Sequence, residues 1–131
     1  MANSEASFRT ELLRDFREAG FRARGNSPEN DIGRPDLYVK ARGFPSMWVE
    51  LKFIHGNVIP LTEAQINWMA DERRHGGIAF WLACKQTAVL RWELWYGTTQ
   101  LTVKDAKLLQ IRGRGEAWDV RTILKEGSGL W

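Results

Sequence analysis

Apolar residues near the start of the chain recur with a helical period. On a wheel turning about 100° per residue, Phe8, Leu12, Leu13, Phe16 and Ala19 share one face, with Arg14, Arg17 and Glu18 opposite and Gly20 as a stop. Phe21 to Gly25 is a short mixed segment, and Asn26 to Arg34 (NSPENDIGR) reads as a turn-rich loop. Pro35 to Ala41 and Ser46 to Ile54 are rich in aromatic and β-branched residues and flank Arg42-Gly43-Phe44-Pro45, which predicts an antiparallel hairpin. A turn centred on Gly43 opposes Asp36 to Glu50, Tyr38 to Trp48 and Lys40 to Ser46. Alternation then puts Trp48, Glu50 and Lys52 on one face and Met47, Val49, Leu51 and Phe53 on the other, which reads as the core face.

Leu61 to Ile66 (LTEAQI) has the form of a helix start, with Thr62 and Gln65 as a capping box and Leu61 and Ile66 as a hydrophobic staple. The helix should run to about His75 and stop at Gly76-Gly77. Ile78 to Ala83 (IAFWLA) is continuously apolar, as expected of a central strand pairing parallel after a crossover helix. Ala88 to Trp95 alternates Leu90, Trp92 and Leu94 against Arg91 and Glu93, predicting another strand, and Thr102 to Gln110 reads as a short helix. The last twenty residues give no clear pattern. The order is helix, three strands, helix, strand, strand: an α/β fold with a mixed central sheet flanked by helices.

The 131 residues suit one domain with one core, and 44% apolar residues, seven Trp among them, supply ample material to bury. No run of about 18 apolar residues occurs, and Met1 to Thr10 is polar and mixed in charge, which argues against a membrane span or secretory signal and for a cytoplasmic protein. Cys84 has no disulfide partner and, with two His in the chain, cannot build a multi-Cys zinc site; it reads as a small buried hydrophobe. A net charge of +3 permits a nucleic-acid partner without demanding one. No GxxxxGK loop or GxSxG elbow occurs, so neither a nucleotide cofactor nor serine esterase chemistry has support.

The opposed Asp36 and Glu50, with Lys52 two residues on, put two carboxylates and an ammonium together. Paired carboxylates repel unless a cation separates them, and hard oxygen ligands point to Mg²⁺ or Mn²⁺. The plainer alternative is a Pro-Asp turn beside a solvated sheet face. Glu5 falls amid the apolar face of the first helix and should point to the sheet, whereas Glu11 lies to the side. Arg22, Arg24, Arg34 and Lys40 lie near this cluster as candidate phosphate contacts, with His55 a lesser one. Lys104, Lys107, Arg112 and Arg114 read as solubilising charges, His75 as a helix-end residue, and Trp81 and Trp92 as core.

Pro35-Asp36, thirteen residues, then Glu50-Leu51-Lys52 resembles the motif of the PD-(D/E)xK nuclease superfamily, with its restriction-endonuclease-like αβββαβ core. The ordered set of a Glu in the first helix, GRPDLYV, MWVELK, a Gly-containing loop, LTEAQINWM and a Gly before an apolar strand is closest to the VRR-NUC branch. The likeness covers roughly residues 4 to 84, leaving 85 to 131 as a C-terminal extension of one nuclease domain over 1 to 131. The resemblance implies Asp36, Glu50, the Leu51 carbonyl and Glu5 as metal ligands, and catalytic roles for Asp36, Glu50, Lys52 and Gln65. It also implies Mg²⁺, replaceable by Mn²⁺, and a homodimer that resolves four-way (Holliday) DNA junctions. Ala88 to Trp95 and Leu130-Trp131 are candidates for the dimer interface or for the monomer core. A nuclease for flaps, single strands or duplexes, and a non-catalytic DNA-binding module, are the alternatives.

Overall fold

A computed structural model describes residues 4–25, 32–40 and 42–129. Its elements are α1 (Glu5–Glu18), β1 (Arg22–Gly25), β2 (Leu37–Lys40), β3 (Met47–Ile54), α2 (Glu63–Arg74), β4 (Ile78–Ala88), β5 (Arg91–Gly97), a 3₁₀ turn (Val103–Asp105), β6 (Lys107–Gly113) and α3 (Val120–Ser128). The strands form one sheet in the order β1-β2-β3-β4-β5-β6. Among the described neighbours only β3 and β4 run parallel, because α2 carries the chain back between them. The hairpin register is the predicted one, pairing Leu37 with Val49, Tyr38 with Trp48 and Val39 with Met47.

One face of the sheet presents Leu37, Val39, Met47, Val49, Leu51, Phe80, Leu82, Trp92 and Leu94. These pack with Phe8, Leu12 and Phe16 of α1 and Val120, Ile123 and Leu124 of α3. On the other face, Ile54, Trp81 and Ala83 form a smaller cluster with Ile59 and Val103 from the loops, and α2 lies against β4. Burying each large side chain contributes about 1.5–3 kcal/mol, so the two-sided burial of β3 and β4 makes them the rigid centre of the fold.

Two expectations are corrected. β4 runs on to Ala88, and Val89-Leu90 form a hairpin tip with Ala88 opposite Arg91. Leu90 is therefore exposed, while Trp92 and Leu94 are buried. The predicted helix over 102–110 is a 3₁₀ turn followed by β6, because the free edge of β5 takes a partner strand. The unreadable end of the chain holds α3, where Gly127 lies so close to Phe80 that a Cβ would come within 2.2 Å of its ring. The 26–31 part of the predicted loop and Leu130-Trp131 lie outside the described residues. Of the proposed interface stretch 88–95, Val89 and Leu90 remain exposed.

Candidate active site

β2 begins at Leu37 opposite Val49, so among the described residues β3 has no ladder partner on that edge from Glu50 onward. Asp36, the residue before β2, fills the gap: its Oδ2 accepts the Leu51 backbone N–H at 3.2 Å. In a strand the N–H and C=O of one residue leave on the same side, so the Leu51 carbonyl shares this edge. Glu50 points to the α2 face and is 2% exposed. Its Oε2 accepts from Gln65 Nε2 at 3.0 Å, while Gln65 Oε1 accepts the Thr62 N–H at 2.9 Å. The amide that closes the capping box of α2 thus also holds the buried carboxylate. Gly33 makes this closeness possible: at φ +91° it lies on the first turn of α2, where a Cβ would come within 2.3 Å of the Ala64 carbonyl.

Lys52 Nζ lies 3.6 Å from Glu50 Oε2 and 4.0 Å from Glu5 Oε1, with its side chain 11% exposed. Arg9, one turn after Glu5 in α1, places Nη2 3.3 Å from Asp36 Oδ1. Two cations thus interleave with three carboxylates. They do not satisfy all of them: the buried Glu50 Oε1 receives no N–H, and a proton shared with Asp36 is what would bridge the two carboxyl groups. Burial first, and then the neighbouring Asp36 carboxylate, push the Glu50 pKa up to about 8, with Lys52 only partly offsetting them.

The sign of the resulting pH dependence follows from proton counting. Between its ordinary value of 4.5 and about 8, Glu50 holds more proton in the folded than in the unfolded chain. Its contribution to stability is therefore whole below that window and is lost as pH rises through it. Thermal melts of the metal-free protein from pH 5 to 8.5 should show wild type losing stability relative to Glu50→Gln as pH rises. Parallel curves would mean that Glu50 is ionised throughout.

A divalent cation suits these donors. All are hard oxygens, from Asp36, Glu50 and the Leu51 carbonyl, and two mutually repelling carboxyl groups are a place where positive charge would stabilise. Among the described residues no three His, Cys, Asp or Glu side chains converge as a ready cage. Glu5 stands against Lys52 with 43% of its side chain exposed rather than buried toward the sheet. Two carboxylates and one carbonyl leave coordination positions for water and phosphate, the usual habit of Mg²⁺. The site is an open sheet edge, whereas a concavity of about 450 Å³ lies between α1 and the turn after β6, lined by Glu11, Asp15 and Arg112.

Asp36, Glu50, Leu51, Lys52, Gln65 and Glu5 are thus brought together. Arg9 is the member the sequence reading missed, although its i,i+4 spacing from Glu5 was the available signal. Arg22, Arg24 and Lys40 are exposed on β1 and β2, Arg34 is half-buried before Asp36, and His55 is exposed just past β3 with its ring 5.3 Å from Phe53. Two readings of charge are corrected. Glu11 is buried, and Arg112 is no surface cation: it is 4% exposed and donates to Glu11 Oε1 at 2.5 Å. His75 caps α2 as expected, and Cys84 is buried, its thiol pushed up to about 12 by desolvation.

No family model matches the sequence, and no curated protein matches it significantly. Among solved structures, Hjc of Archaeoglobus fulgidus, a Holliday junction resolvase from an archaeal hyperthermophile, superposes with a TM-score of 0.52 over 75% of each chain at 18% identity. The fold is restriction-endonuclease-like. At that identity the likeness concerns architecture alone. No helix among the described residues is long and apolar enough to cross a membrane.

Proposed function

We propose that this chain is a single-domain, Mg²⁺-dependent DNA endonuclease of the VRR-NUC kind, acting in the cytoplasm as a homodimer on four-way junctions. The observation that carries the reading is the buried Glu50 carboxyl beside Asp36 and Lys52 at the open edge of β3. Two carboxyl groups side by side, with one ammonium only partly offsetting them, are an arrangement that a bound cation would stabilise. Asp36, Glu50 and the Leu51 carbonyl would hold the cation, with Glu5 as a further ligand and Mn²⁺ as a substitute. When bound, it would offset charge on the scissile phosphate and acidify an attacking water.

The chain's own groups do the rest. Lys52, held between Glu50 and Glu5, orients the attacking water and faces the charge that grows on the phosphate. Gln65 fixes Glu50 and so sets where its other oxygen points. The water gives up a proton to solvent as its oxygen bonds to phosphorus and the P–O3′ bond breaks, and the leaving 3′ oxygen takes up a proton from solvent, leaving a 5′ phosphate. Arg22, Arg24, Arg34, Lys40 and His55 would contact the DNA backbone. A two-fold dimer presents two such sites to opposite strands of a junction, and the exposed Val89 and Leu90 with Leu108 and Ile111 of β6 give it apolar surface.

Incubation of labelled four-way junction, flap, single-stranded and linear duplex DNA with Mg²⁺ should yield paired symmetric nicks in the junction alone, lost with EDTA. Asp36→Asn should lose Mg²⁺ affinity by calorimetry. Cutting of flaps or single strands would keep the chemistry and discard resolution. No cutting of any substrate would leave a DNA-binding module.

A further inference from the structure

Paired residues on neighbouring strands share a face, so the register carries Arg24 onto Tyr38 and Tyr38 onto Trp48, on the side of the sheet that also bears Glu50 and Lys52. The aromatic rings make a ladder. The Tyr38 and Trp48 centroids are 4.9 Å apart, and Trp48 is 5.2 Å from Trp68 of α2, both contacts edge-to-face. All three rings are half-buried, unlike Trp81, Trp92 and Trp118, which are enclosed. Arg22, Arg24 and Lys40 stand exposed on the same face, Arg22 directly opposite Lys40. Trp48 precedes Glu50 by two residues on one strand, a separation of about 6.6 Å. The strip therefore runs from three exposed cations, across three half-buried rings, to the candidate carboxylates.

Packing alone does not explain this composition. A ladder that only glued α2 to the sheet would gain nothing from flanking arginines, and a docking face for an apolar peptide would be weakened by them. Cations for phosphates beside rings for bases are the combination that unpaired nucleic acid selects. From this we infer that the Tyr38–Trp48–Trp68 strip is a stacking platform for unpaired DNA bases, delivering a strand opened at a branch point to Glu50 and Lys52. The inference rests on the nuclease reading for its DNA but not for its binding chemistry. Tyr38 presents the outer ring, Arg24 and Lys40 hold the flanking phosphates, and duplex DNA, its bases already stacked, gains nothing from the rings.

The test is anisotropy of labelled oligo(dT) about 12 nucleotides long against an abasic strand of equal length, in EDTA so that cleavage plays no part. Wild type should bind oligo(dT) roughly tenfold more tightly than the abasic strand, and oligo(dT) alone should quench tryptophan fluorescence. Tyr38→Leu, which keeps apolar bulk without a π face, should erase the preference, and Tyr38→Phe should retain it. Arg24→Ala should weaken both strands alike. Equal binding of the two strands by wild type, or a preference that survives Tyr38→Leu, would overturn the inference. The quenching comparison needs no variant and so holds even if Tyr38→Leu fails to fold. Base-dependent binding by a protein that cuts no DNA would sustain the platform and sink the nuclease.

Discussion

Lys52→Ala is expected to lower single-turnover cleavage of a four-way junction by about 10²–10⁴-fold while leaving DNA affinity close to wild type. The geometry accounts for both effects. The ammonium is nearly enclosed, 3.6 Å from Glu50 and 4.0 Å from Glu5, so it is held in place before substrate arrives. Preorganised charge of this kind acts on charge that develops during the reaction and does little for the ground state. It makes at most one of several phosphate contacts, so its loss barely alters affinity. Lys52→Arg should not rescue, because a planar fork cannot sit between two carboxylates as a compact ammonium does. Binding in EDTA and cleavage in Mg²⁺, measured on one preparation, separate the roles. Cleavage within threefold of wild type would remove Lys52 from the chemistry, and a parallel fall in affinity would make it a docking contact.

Features set by local spacing were legible in the chain. The capping box of α2 depends on residues three apart, and the structure contains both of its hydrogen bonds. The β2–β3 register follows from the turn at Gly43 and from alternation, and it brings Asp36 beside Glu50. The buried run after Gly76-Gly77 marks β4 because a strand covered on both faces cannot alternate. What escaped depends on partners distant in sequence or on exposed edges. β6 is an edge strand with Leu108 and Ile111 exposed, so its pattern carries no inside-outside signal. α3 contains Gly127, a poor helix former kept where Phe80 leaves no room for a Cβ. Arg9 was in reach of a helical wheel, but its partner Asp36 depends on how the β2 loop meets α1.

Glu11 and Arg112 are separated by 101 positions, and no local pattern links them; their removal should have the largest effect on stability. Arg112 donates to Glu11 Oε1 and to the Glu116 carbonyl, and its guanidinium lies 4.6 Å from the Trp118 ring and 5.3 Å from that of Trp92. One turn on, Asp15 Oδ2 accepts the Trp118 N–H at 3.0 Å. These contacts fasten β6 and the segment before α3 to α1, the helix that carries Glu5 and Arg9 to the candidate site. Glu11→Leu alone strands a buried guanidinium and Arg112→Met alone a buried carboxylate, each expected to cost about 3–5 kcal/mol. That would lower the melting temperature by roughly 10–20 °C. Together the two substitutions replace the pair by apolar bulk, and the double variant should regain most of the loss, since an ion pair in the interior contributes little net free energy. Denaturant titration of the four proteins closes the cycle. Single variants within 1 kcal/mol of wild type would mean that Glu11 and Arg112 find water in solution. A double variant no better than the singles would place the stabilisation in the cation–π stack between Trp92 and Trp118.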